Sequence, residues 1–132
     1  MQNLSDQELR DLMLEVMRKA ADMQEAAEAE FCQKEPSVEQ ATECWWGVFG
    51  ARFRAAGGLP PKGALERTTL ALAAEEAQEK AESDFRAHCF LHLGVQHGMD
   101  IKEIQELSMR CWWTVFGKRA EALLKSVENE RK

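Results

Sequence analysis

No run of about 18 apolar residues occurs in the sequence, so nothing in it reads as a membrane-spanning helix. The first 20 residues alternate charged side chains with Leu and Met; they lack the basic start, apolar stretch and cleavage site of a secretory leader, and a cytoplasmic protein is expected. Cys32, Cys44, Cys89 and Cys111 show no CxxC spacing, which removes the common zinc and redox motifs and leaves reduced thiols as the expectation. Catalytic signatures are missing as well. There is no Gly-x-Ser-x-Gly, no Gly-rich phosphate loop leads into Lys62, and the few serines fall in helix caps or polar helix positions. Neither an enzyme nor a cofactor is expected. Basic charge is also short: a net charge of −6 disfavours nucleic acid and anionic membranes, which need clustered Lys and Arg, and leaves a protein as the expected partner.

What the chain does have is charge in blocks. Residues 1–35 hold nine acidic and four basic side chains and residues 63–98 hold six and three, whereas 36–62 and 99–132 are each close to neutral. The alternation is a first sign of a repeat. Apolar residues at a 3.6-residue period, Leu9, Leu12, Met13, Val16, Met17, Ala20, Ala27 and Phe31, predict a first helix opened by the capping box Ser5–Glu8 and ended before Pro36. A second helix is expected from Ser37, with Gln40 as its capping partner, through Val38, Ala41, Trp45, Val48, Phe49 and Phe53 to Ala56. The Gly/Pro-rich stretch 57–63 is a linker. A third, alanine-rich helix should run from about Ala64 to Gly94 or Gly98. A fourth should start at Asp100 and bury Ile101, Ile104, Leu107, Cys111, Trp112, Val115, Leu123 and Leu124, with a fraying charged tail from Glu128.

Cys44 to Phe53 reads CWWGVFGARF and Cys111 to Ala120 reads CWWTVFGKRA, seven identities in ten positions. Ala27-Glu28-Ala29-Glu30-Phe31 matches Ala81-Glu82-Ser83-Asp84-Phe85 more weakly. The spacing is 54 residues for the weaker match and 67 for the stronger, so 13 additional residues lie in the second copy, within Arg86 to Met99. The expected fold is therefore all-α, one domain over 1–132: a four-helix bundle of two repeated hairpins, 5–57 and 64–127, with pseudo-twofold symmetry.

Adjacent tryptophans on a helix diverge by about 100°, so one of each pair is expected in the core and the other on a flank. The second of each, Trp46 and Trp113, is the candidate for partner binding, together with Arg52 and Arg119 and the acidic Glu28 and Glu82 of the matching helices. Gly50 and Gly117, costly inside helices, suggest notches for close packing. A second copy of the chain is one admissible partner.

All three histidines lie close together, at His88, His92 and His97. His88 and His92 share a helix face with Asp84 one turn earlier, a spacing able to hold a transition metal if a further ligand, such as Glu28, Glu30 or Cys32, came from elsewhere. The Glu-x-x-His pairs of di-metal bundles are missing, and no metal is expected. Gly94, Gly98, Asp100, Ile104 and Leu107 resemble a DNA-binding helix-turn-helix over about 20 residues, but a tight helical corner gives the same pattern. The would-be recognition helix offers Asp100, Lys102, Glu103, Gln105 and Glu106, a poor face for phosphate.

Overall fold

The computed structural model describes residues 5–56 and 68–130, except for the side chains of residues 124 and 126–130. These residues form four helices, and no strand occurs among them: α1 (Asp6–Gln33), α2 (Val38–Ala56), α3 (Thr69–Cys89) and α4 (Ile101–Glu130), with α3 prolonged by a π-helical segment, Phe90–Gln96. No described helix is long and apolar enough to cross a membrane.

Local chemistry sets most of the ends. The Ser5 hydroxyl accepts the Glu8 amide at 3.1 Å and that of Ser37 the Gln40 amide at 3.3 Å, each satisfying an amide that the first helical turn leaves open. Thr68 does the same for Ala71, so α3 starts later than Ala64, which lies with the linker 57–63 outside the described residues. The helical end before α4 is closed by Gly98, whose φ of +66° is a left-handed conformation that glycine adopts without strain. There Met99 N–H reaches Leu93 O at 2.9 Å and Gly98 N–H reaches Gly94 O at 3.0 Å, each bond spanning one residue more than in the usual glycine-closed α-helix. The wider span follows from the π geometry of the segment it ends. The backbone of α4 is helical to Glu130, and the end of the charged tail expected to fray, 131–132, lies outside the described residues.

Two apolar clusters form the interior. In the first, the N-terminal half of α1 (Leu12, Val16, Ala20) packs with the C-terminal half of α3 (Ala81, Phe85, Cys89), with Leu93, and with Ile104, Cys111, Trp112 and Val115 of α4. The second joins Phe31 and Cys32 of α1 to Ala41, Trp45, Val48 and Phe49 of α2, Ala71 and Ala74 of α3, and Phe116 of α4. The helical period placed most of these correctly. Val38 and Ile101, expected inside, are exposed because they open their helices and the buried stripe starts one turn later, at Ala41 and Ile104. Leu9, Phe53 and Leu123 are also more exposed than their spacing suggested, each at an edge of its stripe; the Leu124 side chain lies outside the description.

The expected glycine notches are elsewhere. A Cβ at Gly50 would meet nothing within 4 Å, and at Gly117 only ordinary contact with Phe53 at 3.7 Å; the close approach is at Gly94, where a Cβ would lie 3.1 Å from Ile104 Cδ1. Substituting Gly50→Ala should therefore raise stability by about 1 kcal/mol, because helix propensity improves and no clash opposes it. Gly98→Ala should lower it by about 1 kcal/mol through the left-handed φ. Urea-unfolding midpoints of the two variants should move in opposite directions.

Candidate functional site

Between the two clusters the bundle has a polar waist. Gln24 and Gln78 are buried, on α1 and α3 respectively. Gln24 Nε2 donates to the main-chain carbonyl of Trp112 at 3.0 Å, and Gln78 Nε2 to that of Trp45 at 2.9 Å. Each glutamine thus ties an acidic helix to an aromatic one through a carbonyl of the Trp-Trp motif. One turn on in each acidic helix stands a glutamate: Glu28 receives Arg119 at 2.9 Å, and Glu82 receives Arg52 at 3.3 Å. All four charged side chains are at most a quarter exposed, so these contacts are much less screened than the outlying pairs Lys34–Glu30 and Lys80–Asp84.

The same arginines cover the second tryptophan of each motif. Arg119 lies 5.1 Å from the centre of the Trp46 ring and Arg52 lies 5.6 Å from that of Trp113. Trp45 and Trp112 are the buried members, packed against Phe31 at 5.4 Å and Phe85 at 5.2 Å, while Trp46 and Trp113 are half-buried. Phe49 and Phe116 meet at the centre, flanked by Trp46 and Trp113. The six residues singled out in the sequence therefore come together as two stations, Glu28–Arg119–Trp46 and Glu82–Arg52–Trp113. In both stations the arginine is held from one side by a carboxylate and lies against an indole on the other.

The stations differ in detail. Arg119 also donates to Gln24 Oε1 at 3.4 Å. Its counterpart Arg52 does not reach Gln78: Arg52 Nη1 and Gln78 Oε1 are both buried without a hydrogen-bond partner among the described residues. Glu82 instead accepts a second arginine, Arg86, at 3.2 Å. The glutamines were not singled out from the sequence, although a signal exists. Extending the weaker repeat three residues toward the N-terminus gives Gln24-Glu25-Ala26-Ala27-Glu28 against Gln78-Glu79-Lys80-Ala81-Glu82, which aligns both the glutamines and the glutamates.

The π segment occupies the 13-residue surplus of the second copy, and three unusual features gather on it and its flanks. First, Phe90, Leu91, Val95 and Ile101 are all exposed, Val95 at 76%. Second, two of these, Phe90 and Leu91, border a recess of about 780 Å³ lined also by Ile104, Gln105, Ser108 and Met109, among others. Third, the histidines cluster: His88 and His92 stack with ring centres 5.7 Å apart, His97 meets His92 edge-on at 5.2 Å, and Glu15 of α1 lies 3.5 Å from His92 Nε2. Asp84 is not part of this group, being bound to Lys80 at 3.5 Å, and no three His, Cys, Asp or Glu residues are gathered for a metal ion among the described residues. Cys89, next to His88 in sequence, points into the core beside Cys111, and burial pushes its thiol up to about 12, which removes it as a nucleophile near neutral pH.

The corner 97–100 leads into α4, a helix of 30 residues that fills the core with Ile104, Ser108, Cys111 and Trp112. The opposite face of α4 leaves Lys102, Glu103, Gln105 and Glu106 exposed. Comparison with family models, with curated proteins and with solved structures returned no match to this chain.

Two outcomes follow from these geometries. Arg119→Met should cost about 2 kcal/mol, since it strips the donor from both Glu28 and the buried Gln24 oxygen. Arg52→Met should cost about 1 kcal/mol, because Glu82 keeps Arg86 and a partnerless buried N–H is removed at the same time. Chemical denaturation with unchanged far-ultraviolet circular dichroism measures both. Burial first, then Lys19 and His92, hold His88 below its ordinary pKa, with Glu15 opposing them. The folded state thus binds fewer protons at this site than the unfolded chain. Its contribution to stability is intact above the unfolded pKa of about 6.5 and lost as pH falls through the lower folded value. His88→Gln should flatten the acid side of a stability–pH curve; a curve identical to wild type would contradict this account.

Proposed function

We propose that the chain is a non-enzymatic binding protein, a helical bundle of two hairpins in pseudo-twofold arrangement that recognises another protein. The pseudo-symmetry is supported by the paired contacts: Gln24 to Trp112 answers Gln78 to Trp45, and Arg119–Glu28 answers Arg52–Glu82. Each contact joins one hairpin to the other, as a twofold relation between two copies requires. Four free thiols suit the reducing cytoplasm.

One observation carries the binding reading. The segment by which the second hairpin departs from the first is also where Phe90, Leu91, Val95 and Ile101 stand in solvent. Isolated exposed apolar residues need no explanation, but four within twelve residues of chain, two of them walling a recess, support a contact surface. A π segment is a costlier geometry than α-helix, and its usual setting is a functional site. The half-buried edges of Trp46 and Trp113, with Arg119 and Arg52 over their faces and Glu28 and Glu82 behind, extend the candidate surface. A second copy of the chain is an alternative occupant. For DNA the opening of α4, with Asp100, Glu103 and Glu106, has the wrong sign.

The test is affinity capture from native lysate with wild type and with a Leu91→Lys/Val95→Lys variant. Both positions are well exposed, so the variant should keep its fold and unfolding midpoint. A specific protein retained by wild type and lost by the variant is the expected result. Identical capture profiles, or none from either, would remove the reading.

A further inference from the structure

The recess beside the π segment does not end there. A second, shallower one of about 630 Å³ continues along α4, lined by Phe53, Met109, Trp113, Gly117, Lys118 and Glu121 among others, and the two share Met109. Together they form one apolar track down a face of α4 from Ile104 to Glu121, about 25 Å at 1.5 Å per residue. Its floor is uneven in a useful way. Phe90 and Leu91 wall one end, Met109 supplies a flexible, polarisable middle, and Gly117, which offers no side chain of its own, leaves a step beside the Trp113 indole and Phe53.

The borders of the track carry the opposite charge to the molecule. Arg86, Arg110 and Lys118 line it against a single carboxylate, Glu121, in a chain of net charge −6. Arg86 reaches across the track, its Nε 3.2 Å from Met109 Sδ, while its Nη2 holds Glu82. A long apolar groove with cationic borders matches an amphipathic helix whose apolar stripe has acidic flanks: the stripe fills the floor at i, i+4 and i+7, and the carboxylates meet the borders. Arg86 is already held by Glu82, so a basic helix would meet repulsion chiefly at Arg110 and Lys118.

We infer that this track along α4 is a docking groove for an acidic amphipathic helix of a partner protein of about 16 residues, a length set by the track at 1.5 Å per residue. This rests on the binding reading above and specifies its partner. It also gives Gly117 a reason that the bundle itself does not, since the fold leaves room for a Cβ there.

The experiment uses the full chain and two synthetic helical peptides with the same leucine stripe, one flanked by Glu and the other by Lys, titrated by fluorescence anisotropy. The Glu peptide should bind at least about 10-fold tighter than the Lys peptide and weaken as salt is added. An Arg110→Glu/Lys118→Glu variant, altered only at exposed positions, should reverse the preference while its circular dichroism and unfolding midpoint stay as in wild type. Equal affinities, binding of neither peptide, or a preference that the variant leaves unchanged would each overturn the inference. So would sedimentation showing the track covered by a second copy. If the Leu91→Lys/Val95→Lys variant still loses a captured protein while the peptides show no charge preference, the binding reading stands and only the acidic-helix partner falls.

Discussion

Two buried glutamine side chains, each donating to a tryptophan carbonyl on a helix of the other hairpin, are the constraint around which the bundle is organised. A buried amide without a partner costs about 1 to 3 kcal/mol, so Gln24 and Gln78 are tolerated inside only where those carbonyls are within reach. That requirement fixes the axial register of α1 against α4 and of α3 against α2. Apolar packing alone would leave register loosely set, since alanine-rich surfaces slide past one another at small cost. With register fixed, the glutamates one turn later stand opposite the arginines of the aromatic helices, and those arginines come to rest on the half-buried indoles.

The division of the core follows from the same belt. Leu12 through Val115 on one side and Phe31 through Phe116 on the other are two apolar clusters parted by Gln24 on α1 and Gln78 on α3, with Ala27 and Trp113 packed against both. Each cluster has its own buried tryptophan packed on its own phenylalanine. The clamps therefore join two apolar units that would each be small for a stable domain, and their loss should weaken the connection between units before it weakens either one.

Much of this was legible in the residues. Capping at Ser5 and Ser37, the end before Pro36, the core stripe of α1 and the inside-outside division of each tryptophan pair follow from spacing and elementary helix geometry. Other features had no such signal. Arg52, Arg119, Glu28 and Glu82 stand out in the sequence by their recurrence, but that they pair with each other depends on how the hairpins meet, which no local pattern encodes. Gln24 and Gln78 were legible in principle, since the repeat extends to them, yet glutamine is common on helix surfaces and draws no notice. The π segment is the clearest limit. The 13-residue surplus marks where the copies differ, but the choice between i→i+4 and i→i+5 bonding is set by small energy differences that no spacing pattern carries.

That surplus has a consequence for stoichiometry. A protein built from two like hairpins would ordinarily present any docking surface twice, and a bivalent binder cross-links its targets or chains them into open assemblies. The π segment exists in one hairpin only, so a surface that includes it exists once per chain. Under the docking reading proposed above, the departure from likeness would make each chain monovalent, able to cap a partner without bridging two of them.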